Sequence, residues 1–151
     1  PPSTAAPQLH AAYPQSPECF HTVTKSDLNP NASYHLSFNL GFPNRFDRAH
    51  DRTGSFLMVH GDCVSIGCYA MTDPAIEEIY VAVEAALNNG LSSVPVHAFP
   101  FRPIPQRMAA ASGHKWEDFW QQLAPAYHAF DTPRRPPNIP LTEHTYRVTA
   151  S

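Results

Sequence analysis

The sequence predicts one α+β domain, mainly β with appended helices, on three observations. Tyr34, Leu36, Phe38 and Leu40 alternate with His35, Ser37 and Asn39, the period of a strand that buries one face. The run Phe56-Leu57-Met58-Val59 is short, apolar and ends on a β-branched residue, which fits a buried strand. Asp73-Pro74 has the chemistry of a helix start, with Glu77 and Glu78 in the positive first turn. From there Ile76, Ile79, Tyr80, Val83, Ala86 and Leu87 form a stripe at helical spacing until Gly90 stops it.

The remaining elements follow from punctuation. Residues 41–55 hold Pro, Asn, Asp, Arg and Gly and exceed the usual connection, which marks a functional loop. Val94–Phe101 reads as a further strand, and Pro95 and Pro100 send it to a sheet edge. Trp116, Phe119, Trp120, Leu123 and Tyr127 give helical spacing from Ala109 to about Phe130, with Pro125 a kink or break. The Trp116-Phe119-Trp120 cluster reads as core packing rather than a sugar platform.

A chain of 151 residues, 42% hydrophobic, suits one domain with a real core. Ten basic against 13 acidic residues give no basic field for nucleic acid. Five prolines lie in the first seventeen residues and four between Pro133 and Pro140, so both ends read as extended, poorly packed arms. The expected organisation is an arm over 1–15, a catalytic domain over 16–132 and a tail over 133–151. No apolar run reaches transmembrane length, and no signal segment opens the chain. A start at Pro1 suggests processing or truncation. Three cysteines leave at least one thiol free whatever the pairing.

The chemistry concentrates in Met58-Val59-His60-Gly61-Asp62-Cys63-Val64-Ser65-Ile66-Gly67-Cys68. The apolar strand delivers His60 to its end, and Gly61 and Gly67 stand where a backbone bends sharply or comes close to a substrate. A thiol attacks as thiolate, so a nucleophilic Cys68 needs a base, which His60 supplies. Ser65 orients His60 or satisfies the turn. Cys63 is a structural thiol, or one that pairs with Cys68 under oxidation. His50 shares the long loop with Asp47 and Arg48. Arg48, Arg52 and Arg102 are candidates for substrate carboxylates, against the common alternative of solvated surface charges.

The pattern His60-Gly61 followed by Ser65-Ile66-Gly67-Cys68 resembles the active-site signature of the L,D-transpeptidases, the YkuD-type catalytic domain. Asn39-Leu40-Gly41-Phe42-Pro43-Asn44, Asp47-Arg48-Ala49-His50, Arg52-Thr53-Gly54-Ser55, Val96–Arg102 and Arg134-Arg135-Pro136-Pro137-Asn138 extend the resemblance to the YafK-like branch over roughly residues 16 to 140. The resemblance implies a β-sandwich core, here without its N-terminal strands. It also implies acyl transfer through a Cys68 thioester, with catalytic Cys68, His60, Gly61, Ser65 and Gly67. Arg48, His50, Arg52 and Arg102 would bind substrate. Peptidoglycan stem peptides would be the partner, with murein-linked lipoprotein a further one, in the periplasm or cell envelope and with neither metal nor organic cofactor. Two features depart from the family. Ile66 fills the slot where many members carry His, and Cys19 stands where the branch shows Gly, which predicts local strain if that position bends. Two other readings remain at this stage, a soft zinc site from His50, His60, Cys63 and Cys68, and a catalytically inactive murein-binding module.

Overall fold

The computed structural model describes residues 18–63, 67–131 and 133–149. The chain opens with β1 (Cys19–Val23), a short 3-10 turn, then β2 (Leu28–Ala32) and β3 (His35–Asn39). A short helix α1 (Arg45–Ala49), β4 (Met58–His60), β5 (Tyr69–Ala70) and the long helix α2 (Asp73–Asn88) follow. The second half holds β6 (Val94–Ala98), α3 (Pro105–Ala110), α4 (Glu117–Asp131), and the short strands β7 (Leu141–Thr142) and β8 (Thr145–Tyr146).

The class is α+β, and the balance differs from a mainly β expectation. Helices α2 and α4 run 16 and 15 residues while no strand exceeds five, so more of the described chain is helical than extended. Three small sheets form among the described residues: β2-β3-β4-β5, β1-β6 and β7-β8. In the four-stranded sheet β2-β3 and β3-β4 are antiparallel, while β4 and β5 run parallel with Val59 opposite Tyr69 and His60 opposite Ala70.

Helix α2 covers that sheet. Ile76, Tyr80, Val83 and Leu87 are buried against Phe38, Leu40, Leu57, Val59 and Val23, the i, i+4, i+7, i+11 stripe that the sequence spells. Each such side chain contributes about 1.5–3 kcal/mol when taken from water, so this layer is what holds the sheet carrying His60. The N-cap is one residue earlier than expected. Thr72 accepts from the Ala75 amide at 3.4 Å, with Pro near the first turn, and Asp73 is already helical.

A second cluster joins Phe46 of α1, Cys19 of β1 and Phe119, Trp120 and Leu123 of α4, with Leu141 and Tyr146 packed on it. The segment after residue 133 is therefore no loose tail. It returns as a hairpin whose Tyr146 ring stacks on Phe46 at 4.4 Å, and Asn138 bridges Thr149. Three further expectations are corrected. Pro125 lies inside α4, which continues through it. The 41–55 connection contains α1 rather than being an open loop. Cys19 sits in a regular strand opposite Ala98 and is absent from the left-handed positions, so no strain arises there. The strand from Val94 ends at Ala98 and pairs with β1 alone, as an edge strand with Pro95 can. The expected arm over 1–15 lies outside the described residues.

Candidate active site

His60 ends β4 and is 5% exposed. Two neighbours hold it: Ser37 lies opposite across β3, and its own carbonyl accepts the Met71 amide at 2.8 Å. Its Nδ1 is 2.6 Å from the Gly61 carbonyl. A carbonyl can only accept, so Nδ1 carries the proton and Nε2 is left with the lone pair of a base. The Tyr34 ring lies 5.3 Å away and tilted over the imidazole.

Gly61 is needed for space. A Cβ there would sit 2.6 Å from Asp73 Oδ1 and 3.1 Å from both His35 Cβ and the Tyr34 carbonyl. Its amide points to the carbonyls of Tyr34 and Leu36 at 3.2 Å each. Asp73 Oδ1 accepts the Asp62 amide at 2.9 Å, and the Cys63 amide donates to Met71 at 3.1 Å. Asp62 and Cys63 take left-handed φ values of 68° and 44°, so these bonds hold a turn that L-residues resist. Gly67 has φ 130°, a value for which glycine is the natural residue.

Cys68 directly precedes β5. With Val59 opposite Tyr69 and His60 opposite Ala70 in parallel register, Cys68 falls level with Met58. Cys68 thus enters β5 two residues before Ala70, the residue opposite His60. Among the described residues the thiol donates to the Phe56 carbonyl at 3.3 Å rather than to His60. Phe56 itself has φ 57° and is 72% exposed, an unusual backbone for an aromatic residue. Ser65 and Ile66 lie outside the described residues.

The other candidates divide. Arg52 is turned inward: Nη1 is 3.1 Å from the fully buried Asp47 carboxylate, and its guanidinium lies over Phe119, Phe46 and Trp116 at 4.6, 5.2 and 5.6 Å. His50 caps α1, lies tilted against the Phe46 ring and bonds the His144 carbonyl at 2.8 Å. Arg48 is exposed and donates to the Pro43 carbonyl. Arg102 is exposed on the segment before α3. The zinc reading fails on geometry: His50 is committed to the C-terminal hairpin, and among the described residues no three His, Cys, Asp or Glu side chains converge as a metal site would require.

All three cysteines are free thiols, and they differ sharply. Cys19 is wholly buried, lies 2.6 Å from the Tyr146 hydroxyl and accepts from Asn44 Nδ2 at 3.2 Å. Burial, outweighing those hydrogen bonds, pushes its pKa up to about 11. Cys63 is exposed and Cys68 half-buried. Sequence reasoning missed the Phe56 carbonyl, the Asp73–Asp62 clamp and the Thr72 cap. Only the last had a signal, a Thr directly before Asp-Pro.

No family profile matches the chain. Two curated relatives, from Escherichia coli strain K12 and Escherichia coli O157:H7, are each 45% identical to it over 134 residues. Both carry the name "Putative L,D-transpeptidase YafK". The match takes in 89% of this chain and 54% of each relative, so the chain spans about half the length of the curated relatives it matches. Over that shared stretch it is similar to proteins named as L,D-transpeptidases. The likeness is to the YafK-like branch, on a match that includes most of the described residues. A solved structure of Bdellovibrio bacteriovorus Bd1075 is 21% identical, covers 56% of this chain and 33% of its own, and has a TM-score of 0.39, a likeness too partial to define the architecture. Among the described residues no helix is long and apolar enough to cross a membrane.

Proposed function

We propose that the chain carries a cysteine acyl-transfer site acting on peptidoglycan stem peptides in the cell envelope. The supporting observation is His60, buried at the end of β4 with Nδ1 tied to the Gly61 carbonyl at 2.6 Å, beside the strand that Cys68 leads into. Nε2 takes the proton of the Cys68 thiol, and the thiolate attacks the carbonyl of a diamino acid in the stem peptide. The tetrahedral oxyanion is held by backbone N–H groups around Gly67 and Cys68, donors of a kind worth about 3 kcal/mol each. Collapse expels the amine, which leaves with the proton from His60, and a thioester remains on Cys68.

Water or a second amine then releases the acyl group. An amine outcompetes water only where a pocket positions it, and the motif lacks the extra His of many cross-linking members, so hydrolysis is the prominent outcome, including release of murein-linked lipoprotein. Incubation with tetrapeptide muropeptides and with lipoprotein-linked muropeptides separates the two. Released monomers should exceed 3→3 dimers, and dimers dominating at low acceptor concentration would overturn the hydrolytic preference. Binding to murein sacculi without any turnover would favour the inactive binding module.

A further inference from the structure

A cavity of about 650 Å³ opens between the β1-β6 sheet, α1 and the returning segment 137–146, and neither His60 nor Cys68 lines it. Arg45 and Arg48 both do, three residues apart on α1 and so on one face of the helix. No described Asp or Glu lines the cavity, although the chain as a whole carries a net charge of −3. Neither arginine is in an ion pair among the described residues. The nearest acid in sequence, Asp47, is buried and paired with Arg52. Arg48 already donates to the Pro43 carbonyl, and a carboxylate entering the cavity would offer both arginines charge-assisted hydrogen bonds. The remaining wall is mixed, with Phe20, Leu141 and Tyr146 beside Thr22 and Asn138, and burial lowers the pKa of His97. An open chamber of mixed polar and apolar wall with two arginines at its edge suits an organic acid.

The cavity wall is linked to the thiol through the backbone. The amide of Leu40, a lining residue, donates to the Leu57 carbonyl at 2.9 Å, while the preceding carbonyl, that of Phe56, accepts the Cys68 thiol at 3.3 Å. Chamber and nucleophile therefore hang on successive peptide units. We propose that this cavity is a second subsite that takes a free carboxylate of a peptide ligand on Arg45 and Arg48, at a distance from the bond that reacts at Cys68. The identity of the peptide rests on the proposed function; the carboxylate requirement does not.

The test is direct binding to Cys68→Ala protein, using a fluorescent stem tetrapeptide and the same peptide with its carboxylates converted to amides. The free acid should bind at least tenfold more tightly, and Arg45→Ala with Arg48→Ala should erase that difference. The ligand comparison needs no substitution in the cavity, so it stands even if the arginine variants unfold. Equal affinity for acid and amide overturns the subsite, as does a folded double variant that keeps the preference for the acid. Carboxylate-dependent binding by a chain whose wild-type form never makes a thioester upholds the subsite and removes the acyl-transfer reading. A thioester formed equally well from acid and amide does the reverse.

Discussion

Replacing Arg52 with Ala separates a structural arginine from a substrate-binding one. Its guanidinium meets the Asp47 carboxylate at 3.1 Å, with the Asp47 side chain wholly buried and that of Arg52 21% exposed. Removing one partner of such a pair strands a charge out of water, at about 3–5 kcal/mol. Asp47 Oδ2 keeps the Asn44 amide at 2.9 Å and Arg52 is partly wet, so the lower end applies, about 3 kcal/mol. The contacts over Phe119, Phe46 and Trp116 are lost as well. For a chain of this size each kcal/mol moves Tm by about 2–4 °C, giving a fall of about 6–12 °C. Differential scanning fluorimetry reads it. Adding Asp47→Asn to the Arg52→Ala background should recover part of the loss, because a neutral amide leaves no charge to strand. An unchanged Tm combined with a raised KM for stem peptide would refute the reasoning and return Arg52 to the substrate.

Other expectations follow from the same geometry. With iodoacetamide near neutral pH Cys68 should react first, Cys63 more slowly and Cys19 only on unfolding, since a pKa of about 11 leaves under about one thiolate in a thousand; His60→Ala should slow Cys68, and equal labelling of all three would contradict the site. Gly61→Ala brings a methyl within 2.6 Å of Asp73 Oδ1 and should cost about 1–3 kcal/mol, measured by urea denaturation; an unperturbed midpoint would show that the turn has room to spare. Burial raises the Glu18 carboxyl above its ordinary value against opposing effects of its backbone hydrogen bond, Arg52 and His114. A folded-state pKa above the unfolded one means stability is full at pH below the unfolded value and declines as pH rises through the folded value. Glu18→Gln should therefore raise Tm at pH 7 and lose that advantage near pH 4, and a constant difference across this range would dismiss the account.

The strand into His60, the glycine beside it and the α2 stripe were legible because each is encoded by a few consecutive residues with one dominant period. What escaped was encoded by distance or by unusual backbone. β1 went unread, and its pairing with the expected strand from Val94 joins residues some 75 apart, with Pro95 opposite Thr22. The final hairpin turns through Glu143 and His144 at φ 49° and 61°, angles that the sequence signal assigns to Asn-Gly pairs, so prolines alone shaped the expectation of a loose tail. Arg52 read as a substrate-binding cation because the rings that cover it come from α1 and from the 116–119 stretch. The cavity needed three distant segments to exist at all, and Arg45 drew no notice in the sequence for that reason.

The most direct test of the central claim is intact-protein mass spectrometry of the chain incubated with stem tetrapeptide and quenched in acid, followed by peptide mapping. The account predicts one acyl adduct, on Cys68, sensitive to hydroxylamine as a thioester is, absent from Cys68→Ala and strongly reduced in His60→Ala. Turnover that survives in Cys68→Ala, or an adduct mapped to Cys63 or Cys19, would contradict it.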